Sequence, residues 1–142
     1  MQELFKEVCV DNISDAMRAV HLGANRIEYC SNLREQGLTP DPEDVKYLIK
    51  NINIPLRVMI RPHSKSFNYS KQDILEMLKN ISIFKKLKVD GIVFGCLNQD
   101  DEIDLKKTNL LVEKAKPLKV IFHKAIDLTD DPLKSLKNLL QN

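Results

Sequence analysis

Five short runs along the chain alternate apolar residues with charged or reactive ones: Glu7-Val-Cys-Val-Asp11, Arg26-Ile-Glu-Tyr-Cys-Ser31, Leu56-Arg-Val-Met-Ile-Arg61, Gly91-Ile-Val-Phe-Gly95 and Lys119-Val-Ile-Phe-His123. A period of two is the spacing of a β-strand, whose side chains point to opposite faces in turn. One face of the first three runs then carries Glu7, Cys9, Asp11, Arg26, Glu28, Cys30, Arg57, Met59 and Arg61, and the other carries Val8, Val10, Ile27, Tyr29, Val58 and Ile60. An ordinary two-layer sheet would leave the polar face in water. Helical segments between all the runs point instead to parallel strands joined by crossover helices. The apolar face then packs under those helices, and the polar face lines a barrel interior if the sheet closes.

The intervening segments carry helix signals of their own. Asn12 or Ser14 caps a short helix holding Ala16, Met17, Ala19 and Val20, which Gly23 stops. Asp41-Pro-Glu-Asp44 opens a second helix with a cap, a first-turn proline and acids at the positive end of the dipole, running to about Lys50. Ser70-Lys-Gln-Asp73 reads as a capping box before the longest helix, in which Ile74, Met77, Leu78, Ile81 and Phe84 recur at spacings of three and four. A fourth helix spans about Leu105 to Ala115 and ends before Pro117. A fifth opens at Asp131-Pro132 and is expected to bury Leu133, Leu136 and Leu140. The order is five repeats of strand then helix, an α/β domain occupying residues 1–142.

Composition narrows the class. A chain of 142 residues, 43% hydrophobic and 30% charged, suits one globular domain with a modest core. Its net charge of +2 arises from 22 basic and 20 acidic residues spread along the chain, without the basic stripe and stacking aromatics of a nucleic-acid surface. Lys85-Lys86-Leu-Lys88 and Lys106-Lys107 read as solvated helix faces. No apolar run approaches the ~20 residues that span a membrane. Met-Gln-Glu-Leu-Phe-Lys leads straight into the first strand without a signal-peptide pattern, so a cytoplasmic location is expected. Three scattered cysteines, Cys9, Cys30 and Cys96, fit a reducing compartment better than a disulfide framework.

The strand motifs, together with Gly23-Ala-Asn-Arg-Ile-Glu-Tyr-Cys-Ser31, Gly37-Leu-Thr-Pro40, Val58-Met-Ile-Arg-Pro62, Asp90-Gly-Ile-Val-Phe-Gly95 and Phe122-His-Lys-Ala-Ile-Asp127, resemble the successive signatures of the CutC family, named for copper homeostasis. The resemblance runs in order from about Lys6 to Leu140. It implies a (β/α) barrel of the triosephosphate isomerase type, a cytosolic setting and copper handling. A full eight-unit barrel takes ~250 residues, so five units make a partial barrel, incomplete at the C-terminus, with two edges and the polar inner face open. Three expectations follow: a fragment, a homo-oligomer in which another copy covers the edges, or a decayed, non-functional relative. Three places depart from the family pattern. His63-Ser-Lys65 stands for Arg-Gly-Gly, Gln36 for the paired glycine before Leu-Thr-Pro, and Lys124 for the arginine after His123, which keeps the charge and loses the planar fork.

Candidate chemistry gathers where such barrels carry their sites, at the C-terminal strand ends, with Asp11, Cys30, Ser31, Arg61, His123 and Asp127. Buried charges survive when paired, so Glu7, Glu28, Arg26 and Arg61 read as an internal ion-pair network, with Arg61 equally placed to bind a ligand. Cys9 and Cys30 lie on neighbouring strands with one parity, and Met59 shares it on the next. Soft thiolates and a thioether suit Cu(I), although the pair lacks a Cys-x-x-Cys spacing. The enzymatic alternative takes Glu28 as base, His123 as acid or base, and Arg61 with Asp127 to bind a small anionic metabolite. No nucleophile elbow, phosphate loop or His-Glu-x-x-His helix fixes a reaction class. Cys96 reads as packing, and His21 and His63 as structural or solvated.

Overall fold

In the computed structural model, which describes residues 4–141, five parallel strands pair in the order in which the chain visits them. They are β1 (Glu7–Val10), β2 (Arg26–Tyr29), β3 (Leu56–Met59), β4 (Gly91–Phe94) and β5 (Lys119–Phe122). Met1, Gln2, Glu3 and Asn142, at the ends of the expected 1–142 domain, lie outside the described residues. The crossovers are α1 (Ile13–His21), α2 (Pro42–Asn51), α3 (Lys71–Leu87) and α4 (Leu105–Ala115), and α5 (Pro132–Gln141) follows the last strand. The sheet is thus the wall of a partial α/β barrel. Among the described residues no helix is long and apolar enough to cross a membrane.

The first three helices start where their sequence signals stand. Asn12, not Ser14, caps α1 by accepting from the Asp15 amide at 2.8 Å. Asp41 caps α2 ahead of Pro42, and Ser70 with Asp73 closes a reciprocal capping box on α3. Ile74, Met77, Ile81 and Phe84 of α3 are buried, with Leu78 packed beside them. They meet Ile27, Tyr29, Val58, Ile60, Ile92 and Phe94 from the outer face of the sheet in one core. Burying side chains of this size stabilises by ~1.5–3 kcal/mol apiece, which makes this layer the main source of cohesion.

The strands stop one or two residues before the alternating pattern does. Asp11, Cys30, Arg61, Gly95 and His123 therefore lie just past the strands, where the backbone is free to turn them toward one another. The last unit departs from expectation. Leu133 and Leu140 of α5 are 73% and 78% exposed, and Leu136 is also exposed. The physical reason is topological: among the described residues β5 is an edge strand, and α5 packs on the short 3-10 helix Lys124–Leu128 that precedes it.

At the opposite, N-terminal end of the strands, charges form a ladder across the sheet. Arg26 pairs with Glu7, Arg57 reaches Glu7 and Asp90 at 3.5 Å each, and Lys119 reaches Asp90 at 2.9 Å. Burial works against the Asp90 charge, yet hydrogen bonds and attraction from Lys119 and Arg57 hold its carboxyl below the usual range. The expected ion-pair network is therefore real for Glu7 and Arg26. It does not include Glu28 or Arg61, which lie farther along the strands and face the cavity described next.

Candidate functional site

A cavity of ≈ 310 Å³ opens on the inner face of the sheet toward the C-terminal strand ends. Its floor takes one residue from each strand: Cys9, Glu28, Met59, Val93 and Ile121. The parallel register aligns them, with Cys9 opposite Glu28, Met59 opposite Val93 and Val93 opposite Ile121. Its rim is made by Gln36, Arg61, Phe67, His123 and Lys124 from the segments that follow β2, β3 and β5. Such crevices outside the carboxyl ends of parallel strands are where α/β sheets place ligands.

One end of the cavity is soft. Cys9 is exposed and Cys30 fully buried, and the two thiols lie near enough to shift each other's titration. The Cys30 thiol also contacts the Val10 carbonyl at 3.5 Å, and the Cys9 sulfur lies 3.9 Å from Glu28 Oε1. The neighbouring Cys30 thiol holds the Cys9 thiol below its ordinary value, and Cys9, with burial, pushes Cys30 up. Burial also raises the Glu28 carboxyl, reinforced by the nearby Glu7 charge. Gly37 closes this end. A Cβ there would lie 3.2 Å from Cys30 Sγ and 3.8 Å from the Met59 terminal methyl, so the thiol and the thioether arm rest against the same glycine. Its φ of +88° suits glycine as well.

The other end is basic. Arg61 is only 4% exposed, and its Nη1 donates to the carbonyls of Glu35 and Gly37 at 2.9 and 3.1 Å. Its guanidinium carbon lies 4.9 Å from the centre of the Phe67 ring, and the His123 ring centre is 4.9 Å from the same ring. His123 Nδ1 accepts from the Ala125 amide at 3.2 Å, which leaves the imidazole proton on Nε2. Burial, then the Arg61 and Lys124 charges, bring this histidine down to about 4, so it is neutral at pH 7. Lys124 donates to the Gln36 side chain across the rim.

The structure thus brings Cys9, Cys30, Glu28, Arg61 and His123 into and around one cavity. Asp127 does not join them: it is exposed on the 3-10 helix, outside the cavity lining. The Asp11 carboxylate accepts from the Leu33 amide at 2.9 Å and Ser31 donates to the Thr39 carbonyl at 2.9 Å, both fixing the β2–α2 loop. His63 reaches Asp73 at 3.4 Å on the first turn of α3, and Cys96 is buried in the core, its thiol raised by burial to about 12. Phe67 and the Gln36–Lys124 contact were not expected as site parts. The period of two that marks strands says nothing of loops, and Gln36 and Lys124 meet across a sequence distance that no local pattern spans.

Comparison with known proteins bears on the family and the fold. The sequence profile of the CutC family matches residues 4–142. A protein of Mesorhizobium japonicum named as a CutC family protein is 39% identical over 135 residues, covering 95% of this chain and 52% of that protein. The human copper homeostasis protein cutC homolog is 41% identical over 134 residues, covering 94% of this chain and 49% of that protein. The chain spans about half the length of the curated relatives it matches. The crystal structure of the CutC protein from Streptococcus agalactiae superposes with a TM-score of 0.91 at 28% identity, covering 98% of this chain and 69% of that one.

Proposed function

This chain belongs to the CutC family, and from that premise we propose that it takes part in copper homeostasis by holding Cu(I) through the sulfurs of Cys9 and Cys30. The observation that carries the reading is the pairing of two mutually perturbing thiols, Cys9 in β1 and Cys30 just past the neighbouring β2, one exposed to incoming metal and one fully buried. Met59 shares the cavity and adds a thioether beside Cys30. Among the described residues no three His, Cys, Asp or Glu side chains gather where they could hold a metal ion. A borderline ion such as zinc, which takes about four nitrogen or sulfur donors, has no such set here. Two thiolates and a thioether match a soft ion of low coordination number.

The thiol pair also fits the proton chemistry of loading. A metal-bound thiol must lose its proton, so binding releases protons and strengthens as pH rises. Cys9, held low by its neighbour, gives its proton up first. Glu28, with its carboxyl raised and its oxygen beside the Cys9 sulfur, is placed to receive that proton.

The test is Cu(I) retention against a competing chelator under reducing conditions, with Cys9→Ser and Cys30→Ser measured beside the parent protein. One Cu(I) per chain, with retention lost in both variants, is the expected outcome. Unchanged retention in both would contradict the assignment.

A further inference from the structure

We propose that the basic end of the cavity is a binding site for a small oxyanion, a carboxylate or a phosphate, received by Arg61, His123 and Lys124 in the absence of any metal. This site goes beyond the copper reading and does not rest on it. Three observations carry it. First, Arg61 is 96% removed from solvent by its 4% exposure, and among the described residues no carboxylate forms an ion pair with it. The two carbonyls that accept from its Nη1 satisfy hydrogen bonds and supply no opposite charge. A charge removed from water without a counter-charge is costly to keep, and a bound anion is the simplest compensation.

Second, Arg61 Nε and His123 Nε2 are buried donors with no partner in the structure, and the Tyr69 hydroxyl beside the Arg61 charge is also unpartnered. Native proteins leave few buried polar atoms unsatisfied, and orphans of one kind at one place mark what is missing. Arg61 Nε can only donate, and so does His123 Nε2, since the Ala125 amide already occupies Nδ1 of His123. What they lack is an acceptor. Third, the two groups are fixed around a common platform, the Phe67 ring, at 4.9 Å each, and both line the ≈ 310 Å³ cavity with Lys124. That volume lies at the small end of ligand cavities, which limits the occupant to a small molecule.

Charge around the rim sets where the anion sits. Arg61 also faces a neighbouring depression containing Arg34, Ser64 and Lys65, with Glu35 and Asp101 at its side. Glu28 and Cys9 occupy the far end of the cavity. An anion is therefore drawn to the Arg61–His123 end and kept from the thiols.

Copper-free protein titrated separately with malonate and with inorganic phosphate tests the proposal, using calorimetry for stoichiometry and the His123 ring resonances for location. At least one anion is expected to bind saturably at one per chain and to shift those resonances. A preference for malonate identifies a carboxylate ligand, and a preference for phosphate a phosphorylated one. Binding should weaken at least tenfold in Arg61→Lys, which keeps a charge but loses Nε, and in His123→Phe, which keeps a ring but loses Nε2. It should persist in the Cys9→Ser, Cys30→Ser double variant, so that failure here is separable from failure of the copper reading. No saturable binding of either anion, or unchanged binding in the folded Arg61→Lys and His123→Phe proteins, would overturn it.

Discussion

His123 shows how much one residue's setting decides. Its ring sits so close to the backbone just past β4 that a Cβ at Gly95 would lie 2.6 Å from it, and Phe67, Phe122 and the Arg61 charge surround it. A histidine reads in a sequence as a proton exchanger near neutrality, and that expectation assumed an ordinary titration. Burial removes it and makes His123 a neutral donor. The consequence for stability has a definite sign. The unfolded chain takes up the proton near the ordinary value of 6.5 and the folded chain only near 4, so the unfolded state binds more protons between those limits. The folded protein should lose stability as pH falls through that window, with no further loss from this group below it. Urea midpoints measured across pH 7 to 4 should show the slope in the parent and a shallower one in His123→Phe; equal slopes would place the proton elsewhere. Gln36 teaches a related lesson. Its φ of 65° is a left-handed conformation that glycine adopts most freely, and its side chain meets Lys124. Two departures that look independent in the sequence are in contact in the fold.

At the scale of elements, the outer layer was legible because several signals agreed at each helix. The Ser70–Asp73 box, the three-and-four spacing of α3 and the Asp41-Pro42 start of α2 all stand where the sequence puts them. The five strands were found with their parity correct, because charged residues alternated with apolar ones over the outer core. The 3-10 helix after β5 and the exposure of α5 were not foreseen. A leucine repeat announces an apolar face without saying whether anything covers it, and the neighbour that would decide this is not local. Stability should therefore be graded along the sheet. All four residues of β4 are buried, whereas α5 has none buried. Hydrogen exchange should find the Ile92–Phe94 amides opening only on global unfolding and the later amides of α5 exchanging by local opening. Equal protection of the two would show that α5 is anchored by contacts stronger than its packing suggests.

For the whole molecule, five parallel strands in sequence order give an open wall, with β1 and β5 at its edges. The ladder of charges ties its N-terminal end together, and the functional groups gather at the other. This division was readable from parity and strand direction alone, since residues of one face must be either deep or near the mouth. Its detail was not: separating Arg61 from the ladder requires knowing that the β2–α2 loop supplies carbonyls to its guanidinium. Openness also explains why Cys9, an inner-face residue, is exposed while Cys30 one strand away is not. Under the proposed copper reading, metal would enter from the open side and meet the buried thiol through the exposed one. The most direct test of this arrangement is X-ray absorption at the copper edge on protein carrying one Cu(I) per chain. The account predicts a first shell made of sulfur alone, losing a sulfur scatterer in Cys30→Ser; a first shell of nitrogen or oxygen atoms, unchanged by that substitution, would contradict it.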